Sequence, residues 1–277
     1  MNDTIVIGAG LAGLSAAKCL VGHGYSVVLI EARDRAGGRV WTQRPGTMEI
    51  PIDLGAEWIG AGQLREILER AGAKIQKARG TRWQCREGEC RKLPDFSRLM
   101  EEFLKKARSV TATDLSVCEA FERCFLRQER EEDQRVLLGY IEGFHAADPA
   151  KAGLFWLDDV EDSDSAKEYE MRSPAGAGRA VDALLASIQS RCDIRFSTSA
   201  QEIRWQRGEV AVATLRQDGD RNVLRAASVV VTVPLPLLAG SDHEPTFRIV
   251  PALTEKLYAA RQIEMGHVLK LVLRFHE

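Results

Sequence analysis

A glycine-rich stretch near the beginning of the sequence has the residue types and the spacing that could bind a phosphate. It has the pattern G-x-G-x-x-G at Gly8, Gly10 and Gly13, directly after the β-branched residues 5–7. Such a run is typical of a buried parallel strand, so the stretch predicts a strand, a tight turn and a helix. The first glycine would permit the turn, the second the approach of a pyrophosphate, and the third close packing of the helix on the strand. The helix N-terminus would then hold the phosphates through its N–H groups and its dipole.

The acidic residue that such a site uses for a ribose is also in place. A second apolar run, residues 27–30, ends at Glu31, which is 18 positions after Gly13. In dinucleotide-binding turns an acidic residue about 20 positions further on meets a ribose hydroxyl. The alternative is that the glycines are ordinary turn residues and Glu31 is a solvated strand end. The strand, turn and helix around the motif favour the dinucleotide site.

The residues that follow Glu31 distinguish a flavin dinucleotide from a nicotinamide dinucleotide. Gly37 and Gly38 would place a bare backbone turn beside the pyrophosphate. Arg35 and Arg39 would add guanidinium groups, whose planar fork suits the geometry of a phosphate. The segment therefore favours a flavin.

Two segments carry the resemblance of this sequence to a known family. Residues 31–42 are Glu-Ala-Arg-Asp-Arg-Ala-Gly-Gly-Arg-Val-Trp-Thr, and residues 53–60 are Asp-Leu-Gly-Ala-Glu-Trp-Ile-Gly. Together they resemble the flavin-containing amine oxidases, the family of the monoamine and polyamine oxidases. The resemblance covers nearly the whole chain and is strongest at 4–60 and 226–275. It implies FAD as the cofactor, bound noncovalently by default.

The resemblance also implies roles for particular residues. Glu31 would hold the adenosine ribose, Arg39 would lie at the pyrophosphate, and Ala200 would contact the adenine through its main chain. Residues 55–58 would lie near the isoalloxazine ring. Together with the glycine turn, the predicted cofactor-binding residues are Gly8, Ala9, Gly10, Ala12, Gly13, Glu31, Ala32, Arg33, Gly38, Arg39, Gly55, Ala56, Glu57, Trp58 and Ala200.

A lysine within an apolar run is the predicted catalytic residue. Lys270 interrupts the hydrophobic pattern of residues 267–275, which predicts a strand. A lysine buried there would require a partner, whereas on an edge strand it would face solvent. Residues 265–270 resemble the family segment whose lysine holds a water against flavin N5. By that resemblance Lys270 would lie next to the chemistry, with Trp58 and Glu57 shaping the site.

The activity implied by the resemblance is the oxidative deamination of a primary or secondary amine. A hydride would pass from the α-carbon of the amine to flavin N5, and O2 would reoxidise the flavin and yield H2O2. Family members continue beyond the point that corresponds to Glu277, so we expect a longer gene product or a partner chain to complete the site. Two alternatives remain open: another flavin oxidase or desaturase of the same superfamily, and a catalytically incomplete FAD-binding subunit.

The predicted fold is α/β. At 277 residues the chain exceeds the usual size of a single core, so one large domain or two interleaved domains are expected. The resemblance implies a Rossmann-like FAD-binding domain of the glutathione-reductase type that is interleaved with a helical and β-sheet substrate domain. Residues 1–80 and 173–240 would form the FAD-binding domain. Residues 81–172 would form a helical insert of the substrate domain, and residues 241–277 the start of its sheet.

Two further stretches could do chemistry but are more typical of packing. His145 is a potential general base, although a lone histidine at a helix end usually caps or packs. The glycine turn at 173–178 precedes a predicted helix at 179–189 and could form a second phosphate site. Its resemblance to the point where the family chain returns to the cofactor domain favours packing.

Composition excludes several functional classes. The net charge is -2, from 38 Lys and Arg against 40 Asp and Glu, so there is no electrostatic case for nucleic acid or an acidic membrane surface. No apolar run approaches the length of a membrane span, which is about 18 residues or more. The predicted first strand begins at Thr4, leaving no room for a targeting peptide, and the expected location is cytoplasmic.

The cysteines are expected to be reduced thiols. The six, Cys19, Cys85, Cys90, Cys118, Cys124 and Cys192, show no C-x-x-C spacing. Cys85 and Cys90 flank a predicted turn and would form a cross-strand pair of free thiols. No group of potential ligands accompanies them, so no metal site is predicted.

Overall fold

The computed structural model describes residues 2–46, 50–60, 62–78, 83–86, 88–92, 96–125, 131–162, 171–240 and 248–273. The chain divides into two compact units. The first unit consists of Met1–Gln76 and Met171–Glu264, and the second of Lys77–Glu170 and Met265–Glu277. The second unit therefore interrupts the first in sequence.

Strands dominate the first unit and helices dominate the second. In chain order the elements are β1 (Asn2–Ile7), α1 (Leu11–Gly22), β2 (Val27–Ile30), β3 (Thr42–Gln43), β4 (Ile52–Asp53), α2 (Gln63–Arg70), β5 (Gln76–Lys77), β6 (Trp83–Arg86), β7 (Glu89–Lys92), α3 (Phe96–Val110), α4 (Val117–Cys124), α5 (Glu131–Gly143), α6 (Leu154–Asp162), β8 (Met171–Arg172), α7 (Gly178–Ile188), β9 (Cys192–Arg195), β10 (Thr198–Gln206), β11 (Glu209–Arg216), β12 (Arg221–Val231), α8 (Leu235–Ala239), β13 (Arg248–Val250) and α9 (Thr254–Arg261).

A seven-stranded sheet is the framework of the first unit. Its strand order is β13-β10-β11-β12-β1-β2-β9. Strand β1 pairs in parallel with both β12 and β2, and β2 pairs in parallel with β9. Strands β10, β11 and β12 form an antiparallel meander. All four residues of β2 are buried, as an apolar strand with both faces covered requires.

The two faces of the central strands belong to different hydrophobic clusters. Val6 of β1 packs with residues of α1 and α7, including Leu14 and Leu184. Ile5 and Ile7, on the opposite face of β1, pack with residues of the meander. Each fully buried aliphatic side chain of this kind stabilises the fold by about 1.5–3 kcal/mol. The carboxyl end of β1 and the start of α1 are thus held between two packed layers.

The second unit contains a helical core of its own. Phe103 of α3 packs against Phe121 and Phe125 at ring-centroid distances of 5.7 and 6.4 Å. Helix α4 begins with a capping box in which Ser116 and Glu119 bond each other's backbone N–H groups. Among the described residues, none of the helices is both long enough and apolar enough to cross a bilayer.

The segment that carries Lys270 differs from the sequence prediction. Residues 267–275 were expected to form a strand, but the described residues 264–273 have no strand structure. Val268 and Leu269 are exposed at 71% and 84%. A strand exists only with a neighbouring backbone to pair with, and the described part of the chain supplies none here. Arg248–Val250, which was expected to belong to a separate sheet, instead pairs with β10 at the edge of the seven-stranded sheet.

The cysteine prediction was wrong for one pair. Cys85 and Cys90 form a disulfide rather than two free thiols. They lie directly opposite each other in the β6–β7 hairpin with their Cα atoms 4.0 Å apart, so the register brings the two sulfur atoms together. The free cysteines are Cys19, Cys118, Cys124 and Cys192, and burial raises the pKa of the Cys192 thiol to about 11.

Candidate functional site

The three glycines of the turn after β1 each lie in a different structural environment. Gly8 has φ +103°, a conformation that suits glycine. A Cβ on Gly13 would overlap the carbonyl oxygen of Gly8 and lie 2.8 Å from Thr232 Oγ1. A Cβ on Gly10 would meet no protein atom within 4 Å. The protein therefore requires two of these glycines for its own packing and leaves open space at the third.

A second glycine turn lies against this open space. The Gly37 N–H donates to the Ala9 carbonyl at 2.8 Å, and a Cβ on Gly38 would lie 3.4 Å from Gly10 Cα. Gly37 and Gly38 both have positive φ, at +104° and +57°. The two turns together form a cradle of bare backbone made by Ala9, Gly10, Gly37 and Gly38.

The N-terminus of α1 opens onto this cradle. Gly10 is the N-cap residue, no side chain caps the helix, and its first turn contains no acidic residue. The first N–H groups of a helix have no partner within the helix and attract anions. Ala12, in the same turn, is exposed. The cradle and the helix end together fit a pyrophosphate, and this is the observation that supports a dinucleotide.

Glu31 fixes the shape of the turn as well as its charge. Its Oε2 accepts a hydrogen bond from the Ala9 N–H at 2.8 Å, and its Oε1 accepts one from the Arg33 N–H at 3.0 Å. The Glu31 N–H donates to the Arg195 carbonyl at 2.9 Å. A carboxylate has about four acceptor positions, so both oxygens can still accept from ribose hydroxyls. The bond to Ala9 was not predicted, because it joins residues that are 22 positions apart.

The arginines after Glu31 brace the second glycine turn. Arg35 donates to the Gly38 carbonyl at 3.3 Å and stacks on the Trp41 ring at 4.4 Å from its centroid. The Arg33 guanidinium also donates to the Gly38 carbonyl, at 3.4 Å. Burial is the largest cause that lowers the pKa of Arg35, and the charge of Arg33 lowers it further. An arginine remains charged in a protein despite such a shift.

The loop predicted to lie near the isoalloxazine is joined to the segment around Arg39. The Ala56 N–H donates to the Arg39 carbonyl at 3.0 Å, and the Leu54 N–H donates to the Trp41 carbonyl at 2.8 Å. A Cβ on Gly55 would overlap the Arg39 carbonyl oxygen. Only glycine therefore allows the two chain segments to lie this close.

The stretch at 173–178 does not present an open phosphate site. The Ala177 N–H donates to both carboxylate oxygens of Asp53, at 3.1 and 3.2 Å. The Gly178 N–H donates to Thr42 Oγ1 at 2.7 Å, and that hydroxyl donates in turn to Asp53. Asp53 and Thr42 occupy the N–H groups at the start of α7 that a phosphate would need. This agrees with the packing interpretation and reveals a cap, formed over 124 positions of sequence, that local patterns do not show.

Removal of this cap should destabilise the first unit. We expect Asp53→Ala to lower the free energy of unfolding by about 1–2 kcal/mol, because the Ala177 N–H loses its acceptor and the Thr42 hydroxyl, which holds the Gly178 N–H, loses the carboxylate that positions it. Urea unfolding followed by circular dichroism measures the change. Asp182→Ala, at an exposed aspartate within α7, is the matched control and should change it by less than about 0.5 kcal/mol. Equal effects of the two substitutions would contradict the role of Asp53.

Glu57 and Trp58 share one partner that was not predicted. The Arg172 guanidinium donates to Glu57 Oε1 at 2.6 Å and lies 3.9 Å from the centroid of the Trp58 ring. Next to this contact, the Ile59 N–H donates to the Met171 carbonyl at 2.9 Å. No motif signals Arg172, because its two partners lie more than 110 positions earlier in the chain.

The remaining predicted site residues are divided between the units. Ala200 lies in β10 of the first unit, partly buried, opposite Thr214 and next to a register shift. All of the predicted cofactor-binding residues lie in the first unit, whereas Lys270 lies in the second. Lys270 is partly buried, and its segment packs on the turn at Ala146, since a Cβ on Gly266 would overlap the Ala146 carbonyl oxygen.

His145 lies in a cluster of polar and aromatic side chains in the second unit. Its Nε2 is 3.3 Å from Glu161 Oε1, which also accepts from the Tyr140 hydroxyl at 3.2 Å. The imidazole meets the rings of Tyr140 and Trp156 edge-on, at centroid distances of 5.0 and 5.1 Å. This environment agrees with a packing role. Within the described ranges, no three potential metal ligands cluster anywhere.

Comparison with known proteins identifies the family of this chain and, with it, the kind of dinucleotide. The family model "Flavin containing amine oxidoreductase" matches residues 11–277. The chain belongs to this family. Membership confirms the predicted flavin cofactor and the resemblance to the flavin-containing amine oxidases.

Similar sequences include polyamine and monoamine oxidases. Polyamine oxidase 3 of Oryza sativa subsp. japonica is 29% identical over 310 residues, which cover 99% of this chain and 60% of that protein. Flavin-containing amine oxidase A of Sus scrofa is 46% identical over 65 residues, 24% of this chain. The chain thus spans about 60% of the length of the polyamine oxidases that it matches.

Solved structures show the same fold. Cyclohexylamine oxidase from Brevibacterium oxydans superposes with a TM-score of 0.73 at 22% identity, covering 94% of this chain and 63% of that one. Wild-type putrescine oxidase bound to putrescine gives a TM-score of 0.69 at 20% identity, with the same coverage. The predicted class, α/β with a Rossmann-like FAD-binding domain, is confirmed.

Proposed function

We propose that this chain is the FAD-binding part of an amine oxidase, which removes hydride from a primary or secondary amine and uses O2 as the final electron acceptor. The observation that carries the proposal is the open backbone cradle at Gly10, in a chain that belongs to the flavin-containing amine oxidoreductases. The relatives named above are described as acting on polyamines, cyclohexylamine and putrescine, which supports an amine as substrate.

The residues of the first unit fit FAD, and we propose noncovalent binding. The cradle and the α1 N-terminus would hold the pyrophosphate, and Glu31 would accept hydrogen bonds from the ribose hydroxyls. Gly55 and Trp58 would lie on the isoalloxazine side. When bound, FAD supplies the hydride acceptor for amine oxidation. The protein residues contribute binding and orientation, and Lys270 would hold a water at the reacting centre.

An amine-dependent peroxide assay tests this function. Purified protein supplied with FAD should release H2O2 when a primary or secondary amine is added, and its flavin absorbance should fall under anaerobic conditions. The decisive preparation is FAD-loaded protein that contains any continuation of the chain. If it releases no peroxide with any of a panel of monoamines, diamines and polyamines, the proposal is contradicted.

Substitution of Lys270 should separate chemistry from cofactor binding. We expect Lys270→Met to retain FAD but to slow flavin reduction or reoxidation by about a hundredfold, because the water near the reacting centre loses its hydrogen-bond partner. Stopped-flow absorbance measures both half-reactions. Lys256→Met, at an exposed lysine of α9, is the control and should keep wild-type rates. Wild-type rates in Lys270→Met would remove Lys270 from the mechanism.

A second candidate is a FAD-binding chain that is catalytically incomplete on its own. The exposed apolar side chains of the Lys270 segment favour it: Val268, Leu269, Leu271 and Leu273 are all at least 71% exposed. Such a run is typical of a surface that another polypeptide segment covers. If residues 1–277 bind FAD but release no peroxide, this candidate is supported. Peroxide release by residues 1–277 alone would contradict it.

A further inference from the structure

Arg172 lies where the chain returns from the second unit to the first. It belongs to β8, whose first residue, Met171, also begins the second part of the first unit. The bond from the Ile59 N–H to the Met171 carbonyl, at 2.9 Å, aligns β8 with the loop at residues 55–59. The backbone of Arg172 is therefore held next to this loop independently of the contacts of its side chain.

The Arg172 side chain makes two contacts with neighbouring residues of that loop. One is the hydrogen-bonded ion pair with Glu57, at 2.6 Å, and the other is the stack on Trp58, at 3.9 Å from the ring centroid. A planar guanidinium can stack on a ring and donate hydrogen bonds in its own plane at the same time, which an ammonium cannot do. The geometry thus uses the chemistry that is specific to arginine.

The ion pair is only partly exposed. The Glu57 side chain is 25% exposed and that of Arg172 is 46% exposed. Loss of the guanidinium would leave the Glu57 carboxylate partly buried without this partner and would release one face of the Trp58 ring. A carboxylate that has lost this partner is costly to desolvate, which opposes covering it with the neutral isoalloxazine ring.

We propose that Arg172 is a positioning residue for the isoalloxazine half of FAD. It holds the Trp58 ring in place and compensates the charge of Glu57, so that the loop at 55–58 is ordered before the cofactor binds. This inference rests on the proposed function, which places that loop on the isoalloxazine side. It assigns to Arg172 no contact with substrate.

The choice of ligand separates positioning from a purely structural role. FAD contains an ADP half, which the glycine cradle and Glu31 would hold, and an isoalloxazine half, which the Glu57–Trp58 loop would face. If Arg172 acts on the loop alone, its loss should weaken the binding of FAD and leave the binding of ADP unchanged. If it supports the whole unit, both affinities should fall together.

The experiment titrates wild-type protein and Arg172→Gln with FAD and with ADP by isothermal calorimetry. We expect Arg172→Gln to bind FAD about tenfold more weakly and ADP with wild-type affinity. The visible spectrum of the bound flavin should shift, because the ring environment changes. Arg70→Gln removes another exposed arginine that pairs with a glutamate, Glu66, and should leave both affinities unchanged.

Each other outcome overturns the inference. Parallel losses of FAD and ADP affinity, or no loss of either, would contradict a positioning role. If Arg172→Gln does not fold, Arg172→Lys is used instead, because it keeps the charge and loses the planar stack. The spectrum of the flavin bound to Arg172→Lys should differ from that of wild type. An identical spectrum overturns the inference. Failure of the wild-type protein to bind FAD would instead overturn the proposed function, and the inference with it.

Discussion

Gly10→Val should abolish FAD binding while the protein remains folded. A Cβ at this position meets no protein atom within 4 Å, and the backbone φ of -72° is accessible to valine. The side chain would occupy the space that the cradle leaves for a pyrophosphate. We expect the affinity for FAD to fall by about a hundredfold or more, equivalent to about 3 kcal/mol. Titration of the protein with FAD, followed by flavin fluorescence, measures this loss.

Gly22→Val, at the other end of α1, is the matched control for this substitution. Gly22 also has no atom within 4 Å of an added Cβ, but it lies away from the cradle. The free energy of unfolding of both variants should lie within about 1 kcal/mol of the wild-type value, since neither added Cβ meets another group. Wild-type FAD affinity in Gly10→Val would show that the open space is not the cofactor site.

Gly13→Ala should destabilise the fold itself. The added methyl group would overlap the Gly8 carbonyl oxygen and lie 2.8 Å from Thr232 Oγ1, and the first of these is a backbone atom that cannot rotate away. Helix α1 would have to move off β1, which disturbs the packed layer beneath it. We expect the free energy of unfolding to fall by about 2–4 kcal/mol, as overpacking in a buried contact does. Chemical denaturation measures it.

The same chemical change elsewhere on α1 has the opposite expected sign. Gly22→Ala adds a methyl group where nothing lies within 4 Å and should be neutral or stabilising by about 0.5–1 kcal/mol. FAD binding to Gly13→Ala should fall together with its stability, in contrast to Gly10→Val. A Gly13→Ala variant as stable as wild type would contradict the close packing of α1 on the turn.

The parts of the site that sequence could predict are those whose cause is local. Gly8, Gly10 and Gly13 lie within six residues, and each role follows from the absence of a side chain at a turn or helix start. Glu31 could be placed because one strand, one turn and one helix have nearly fixed lengths. Alternating and continuous apolar runs likewise predicted the central strands, whose burial follows from hydrophobicity alone.

The parts that sequence could not predict depend on distant partners. Asp53 caps α7 and Arg172 stacks on Trp58, and each contact joins residues more than 110 positions apart. No periodicity encodes such pairs. The bond from the Ala9 N–H to Glu31 was missed for the same reason, although both residues were predicted to bind the cofactor.

The Lys270 segment shows the opposite limitation. Its apolar residues are of the types that strands contain, and they predict a strand. A strand also requires a paired backbone, which the described part of the chain does not provide. The hairpin that places Cys85 and Cys90 opposite each other was predicted, but their disulfide was not, because scattered cysteines without C-x-x-C spacing predict reduced thiols.

Equilibrium binding of FAD to the purified chain tests the central claim most directly. Residues 1–277 are titrated with FAD while flavin fluorescence is recorded, with ADP as a competitor for the cradle. The account predicts saturation at one FAD per chain, displacement by excess ADP, and no saturation with Gly10→Val. A folded wild-type chain that shows no saturable binding, or binding that ADP does not reduce, would contradict it.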